Sequence, residues 1–207
     1  MNFGELAAKL FPLLFNMMGP IGVIPAFAAL TAQMDDATRT AVARRAALLS
    51  FCALAVAVFL GAAMLEAWGI QNGSLILAAG LIVTLTALLP LMPQGAGRAQ
   101  QAASDAAPAP LQLAVSPLAF PTIVTPRGVG ILIIFVAFFN STPEKLVVLA
   151  VAGLMLVLNY IGMRAARWFM ATIGMTPLLV LGAVFGVLQV ALGVEMMADG
   201  WLALAQH

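Results

Sequence analysis

Arg127 lies inside TPRGV, residues 125–129, well within an apolar stretch long enough to cross a membrane. An arginine at that depth is expensive, and such residues usually face the interior of a helix bundle. A guanidinium grips a carboxylate through two parallel hydrogen bonds, so an anionic group of a substrate is one natural partner. Snorkelling to an interface, or pairing with Glu195, are the alternatives. Glu195 is itself a candidate charge partner or proton carrier, or a plain interfacial carboxylate.

A second constellation is GPIGVIPAF, residues 19–27, in another long apolar stretch. Gly19, Pro20, Gly22 and Pro25 interrupt one helix, as Pro126 and Gly128 interrupt the other. Proline removes a backbone donor and clashes with the preceding turn, and glycine admits unusual dihedrals. A helix that restarts after such a break aims free N–H groups and a positive dipole end into it, which suits a carboxylate. The half-helix that ends there leaves carbonyls, which suit an ammonium or a cation. A zwitterion fits both. Asn16, one turn before the first break, and Thr122 and Thr125 at the second add neutral polar groups.

These residues need membrane helices to hold them. Of 207 residues, 63% are hydrophobic and 8% charged, against roughly 25% charged in a soluble domain. Too little polar surface remains to cover a soluble core, so the chain reads as an all-α polytopic membrane protein in contact with lipid. A net charge of +1 offers no basic patch for nucleic acid. One cysteine, Cys52, rules out an internal disulfide, and the sole histidine, His207, leaves no metal cluster and no Ser–His dyad. No span carries a central aspartate, so an aspartyl pair is missing too. Neither an enzyme nor a cofactor protein is expected. The start does not resemble a cleaved leader, because Lys9 follows Glu5 and the apolar run is long and interrupted.

About 20 apolar residues are needed per span. Six spans are expected: 6–30, 45–67, 74–92, 111–139, 143–163 and 176–201. The segment PQGAGRAQQAASDAAPAP, residues 93–110, reads as a flexible linker. The chain is then one integral domain, 1–207, with three-helix units at 1–92 and 111–207. Arg39, Arg44, Arg45, Arg98, Arg164 and Arg167 fall on one side, and only Lys9 and Lys145 on the other. That asymmetry places both termini outside and the linker in the cytoplasm.

Three spans per unit is an odd number, so similarity between the halves implies an inverted repeat. GPIGV and TPRGV share Pro-x-Gly-Val, and SLILAAG (74–80) loosely matches TPLLVLG (176–182). The fourth span also carries Pro117 and Pro121. Interrupted first and fourth helices in two inverted halves point to a midplane transporter site. Other polar residues have plainer roles. Thr84 and Thr86 are expected to bond their own helix's carbonyls. Asn159 and Gln189 are buried amides that either serve a site or join helices. The GxxxG of Gly182 and Gly186 predicts a close helix contact and no binding role. Asp35, Asp36, Arg39, Arg44 and Arg45 read as a solvated loop.

At the two breaks the sequence resembles the MarC family of bacterial inner-membrane proteins. That family typically carries N-P-I-G-x-x-P-x-F, here GPIGVIPAF followed by Leu30-Thr31. It also carries P-x-A-x-P and then G-P-G, here Pro117–Pro121 and then Thr125-Pro126-Arg127. The resemblance covers nearly the whole chain. It implies a secondary transporter or exporter of small metabolites in the cytoplasmic membrane, working by alternating access, with small amino acids as cargo. The sequence departs from the pattern at Gly19, where the family has Asn, and at Thr125 and Arg127, where it has Gly. A neutral amide is lost and a positive charge gained. The expected partners are an amino acid or another carboxylate-bearing metabolite, H+ or Na+ as coupling ion, and further copies of the chain. A non-transporting accessory or scaffold protein is the alternative.

Overall fold

The computed structural model describes residues 3–88, 110–137 and 142–205. Every regular element among them is helical. In lipid a backbone must satisfy its own polar groups, and a helix does so within one segment. Helix α1 spans Phe3–Met18 and α2 spans Pro20–Leu30. Helix α3, Asp36–Trp68, begins nine positions earlier than the expected 45 and absorbs much of the expected loop. Its start is capped by Asp35, whose Oδ2 accepts from the N–H groups of Ala37 (3.1 Å) and Thr38 (3.2 Å). Its end is closed by Gly69 at φ 61°, with the Ile70 N–H returning to the Leu65 carbonyl at 3.2 Å.

Helix α4 is Asn72–Leu88. After the linker, which lies outside the described residues, comes one turn, α5, Pro110–Leu113. A wide π-type stretch follows, Ala114–Ile123, interrupted by extended backbone at Ser116 and Phe120, each before a cis proline. Helix α6, Pro126–Ala137, leaves it at a bend of 62°. Then come α7, Thr142–Arg164, the short α8, Ala166–Thr172, and α9, Met175–Ala205.

Four stretches are long and apolar enough to cross a membrane: Phe11–Leu30, Asp36–Leu65, Pro143–Arg164 and Thr176–Ala205. The bent pair around residue 125 makes a fifth. Helix α4, with 17 described residues, falls short of that length. The expected count of six is thus met in part, and the expected fourth span is a heavily broken one.

The core joins both halves of the chain. Met17, Met18 and Phe27 of α1 and α2 pack with Leu118, Leu132, Met155 and Met163, all almost fully buried. Helices α4 and α9 touch at backbone distance. A Cβ added to Gly80 would lie 2.6 Å from the Gly193 carbonyl oxygen, and one on Gly200 would lie 2.8 Å from that of Gly73. Small residues are what permit such close helix contact. The expected contact at Gly182 is not there: a Cβ on Gly182 would meet nothing within 4 Å. Thr84 and Thr86 do bond back, to the carbonyls of Gly80 (2.8 Å) and Ile82 (2.7 Å). The outward face of α9 is apolar and exposed at Val180, Val184, Val187 and Leu188, as lipid contact requires.

Candidate functional site

The first break follows from local covalent structure. Pro20 has no N–H, so the Asn16 carbonyl loses its helical partner. The residue before a proline is pushed out of the helical region, and Gly19 is extended at φ −75°, ψ 170°. A Cβ on Gly19 would sit 2.0 Å from the Phe15 carbonyl oxygen, so the turn is closed too tightly for any larger residue. Helix α2 restarts with Pro20 in its first turn and no side-chain cap.

The last carbonyls of a helix have no internal partner. Here three consecutive ones are met by side chains from the second half of the chain. Gln189 Nε2 of α9 donates to the Asn16 carbonyl at 2.6 Å. Thr125 Oγ1, at the second break, donates to the Met17 carbonyl at 3.1 Å. Asn159 Nδ2 of α7 donates to the Met18 carbonyl at 2.6 Å. All three donors are buried, with 4%, 8% and 1% exposure. Buried carbonyls left without donors would cost about 1–3 kcal/mol each, so these contacts fix α1 against three other elements. The two amides, open between site and glue on sequence, therefore act as glue between helices, and Gln189 also faces the site. The α1 carbonyls expected to await an ammonium already accept hydrogen bonds from the protein.

The second break is built differently. Thr125 precedes Pro126, and its Oγ1 accepts from the Gly128 N–H at 3.1 Å. That is a side-chain N-cap with proline in the first position of α6. Gly128 is buried against Met18, whose side chain would lie 2.3 Å from an added Cβ. One hydroxyl thus caps α6 and serves α1 together.

A cavity of about 350 Å3 opens at the first break. Six of the expected site residues line it: Asn16, Gly19, Gly22, Pro25, Thr122 and Thr125. Gly22 leaves open space, since nothing lies within 4 Å of an added Cβ. Pro20, Pro126 and Gly128 are not among its described lining residues. Pro20 is turned to α7, with its Cβ 3.1 Å from a Cβ added to Gly162. Pro126 is exposed and Gly128 lies beneath Met18. Arg127 is the second residue of α6, and its side chain lies outside what the structure describes. Glu195 is exposed on α9, away from the lining.

The opposite wall, Gln189 apart, was not anticipated. It is supplied by α9 through Leu178, Gly182, Ala183, Phe185, Gly186 and Gln189. The small residues of GxxxG make room here for a cavity instead of a neighbouring helix. Gln189 Nε2 also leans 3.3 Å from Asn16 Oδ1, which orients the Asn16 amide at the cavity edge. None of the described lining residues is Asp, Glu, Lys or Arg. The polar groups available are Asn16, Thr122, Thr125, Gln189 and the first-turn N–H groups of α2. Neutral polar groups and free helix-start N–H groups are chemically suited to a neutral or zwitterionic molecule.

Relatives align with this chain over nearly their full length. A UPF0056 membrane protein of Methanocaldococcus jannaschii is 23% identical over 190 residues, covering 92% of this chain and 93% of the relative. UPF0056 membrane protein YhcE of Escherichia coli is 25% identical, covering 93% and 90%. YvbG of Bacillus subtilis, also a UPF0056 membrane protein, is 24% identical, covering 90% of each. No solved structure matches. The sequence profile of MarC family integral membrane proteins matches residues 5–204, and the chain therefore belongs to the MarC family.

Proposed function

We propose that the protein is a secondary transporter of small neutral or zwitterionic metabolites, with small amino acids as its cargo. The observation that carries this reading is the cavity of about 350 Å3 where α1 breaks, lined by neutral polar groups and the uncapped start of α2. That volume is at the small end of the range for small-molecule sites. The substrate carboxylate lies at the α2 N-terminus, and the apolar wall of α9 limits side-chain size.

The architecture behind it is two inverted three-helix units. Three features support this: the two proline-led half-helices begin 106 positions apart, at Pro20 and Pro126; the α4–α9 contact is reciprocal, Gly73 meeting Gly200 and Gly80 meeting Gly193; and breaks at midplane positions are how transporters build sites. Alternating access then rocks one unit against the other. The protein sits in a bacterial cytoplasmic membrane with both termini outside, coupled to H+ or Na+, and performs no catalysis.

Uptake of labelled amino acids into proteoliposomes tests the function. Saturable uptake that collapses on Gly182→Leu, which fills the cavity, is the expected result. No movement of any amino acid or organic acid across a wide panel sinks the proposal in favour of an accessory protein. Labelling of a cysteine placed at Ala102 tests the orientation: outside labelling overturns it.

A further inference from the structure

Arg39 was expected in a solvated loop, but it is only 6% exposed on the first turns of α3. Its guanidinium stands 5.6 Å from the centroid of the Phe27 ring. It shares a crevice of about 40 Å3 with Thr40, Arg164 and Arg167, where the α2–α3 turn meets the α7–α8 corner. Arg164 Nη1 donates to Thr40 Oγ1. Arg167 pairs with Asp36 at 2.7 Å and donates to the Met34 carbonyl at 3.1 Å. Asp36 is the one carboxylate among the described lining residues. Three guanidinium groups therefore converge with one negative charge between them. Burying a charged group without a counter-charge is costly, and the cation–π contact with Phe27 offsets only part of that.

We propose that this crevice binds a phosphate group, held by the guanidinium groups of Arg39 and Arg164. Guanidinium forks match phosphate oxygens, and the space admits one small anionic group, not a whole metabolite. The surroundings are those of a headgroup layer. Trp168 of α8, next in sequence to Arg167, is 62% exposed, as aromatic residues at a membrane–water interface are. Basic pockets between helices on a Lys/Arg-rich face suit the headgroups of anionic lipids. A free phosphate ester offers the same chemistry from solution. Either would bridge the two halves of the chain, independently of what the central cavity carries.

Native mass spectrometry of the purified full chain in detergent tests this with phosphatidylglycerol, phosphatidylcholine and inorganic phosphate as probes. Preferential retention of phosphatidylglycerol over phosphatidylcholine is expected. Arg39→Gln with Arg164→Gln should weaken it about 25-fold, from about fivefold per arginine. Asp36→Asn should leave retention equal or stronger, because it removes the competing carboxylate. If inorganic phosphate binds and phosphatidylglycerol is not preferred, the site stands and its ligand comes from solution. The proposal is overturned if the double variant retains the lipid as the unaltered chain does and phosphate does not bind. It is equally overturned if Asp36→Asn loses as much as the double variant, since the loop's shape would then be responsible.

Discussion

The two helix breaks begin alike and end differently. Each restarts a helix at a proline, Pro20 or Pro126. The second start is capped by its own hydroxyl, with Thr125 Oγ1 on the Gly128 N–H, and it is packed under Met18. The first has no side-chain cap and faces open space at Gly22. The carbonyl side of the first break is sealed by three side chains, while its N–H side opens into the cavity. One helix start is thus closed by its own cap and by packing, and the other opens onto the cavity. Shared sequence pattern does not imply shared role; what neighbours each end decides it.

This contrast can be broken by substitution. Gly19→Ala has the largest expected effect, because the clash is with backbone and cannot be relieved by a rotamer change. Overpacking of this kind costs about 1–3 kcal/mol or more, and thermal unfolding in detergent should show a clear drop. Insertion and stability equal to the parent would mean that the turn at Gly19 is looser than described. Thr125→Val follows, since it removes a donor to Met17 and the cap on Gly128 together. A loss of about 1–3 kcal/mol is expected from the lost buried hydrogen bond and the lost cap.

Asn159→Leu should cost less than Thr125→Val. It removes the donor to the Met18 carbonyl, but it also removes Asn159 Oδ1, which is buried without a hydrogen-bond partner among the described residues. A larger melting shift than that of Thr125→Val would reverse the ranking of the two contacts. Gly22→Ala should leave stability unchanged or raise it by about 0.5–1 kcal/mol, because alanine suits a helix better than glycine. Its effect should appear in transport, as a raised KM, since the added methyl enters the cavity; an unaltered KM would remove the α2 start from the site.

The smallest effect lies away from the breaks. The Asp35 carboxylate is held below its usual 3.8 by the Thr38 hydroxyl and backbone N–H, with a weaker contribution from the Ala37 N–H. A lowered folded-state value means that the cap's stabilisation is complete above 3.8 and fades as pH falls through the folded value. The α3 start should therefore loosen only in strong acid, seen as faster amide exchange at Ala37 and Thr38. Asp35→Asn should lose that pH dependence.

Membrane class and the location of both breaks were legible in the chain alone, for a local reason. Too few charges exist to cover a soluble surface, and a proline lacks its N–H whatever surrounds it. Asn16, Gly19, Gly22, Pro25, Thr122 and Thr125 could be named because they flank those prolines. Tertiary structure alone decided which groups meet the orphaned carbonyls, because the donors are 108 to 173 positions away. It also decided that Gly182 and Gly186 form a cavity wall while Gly80 and Gly193 form the contact. A glycine states only that a side chain is missing. Whether another helix or an empty space takes its place depends on how the helices pack. Arg39 shows the same limit: its place in an expected solvated loop suggested exposure, and only the packing of α3 against Phe27 and the α7–α8 corner buries it.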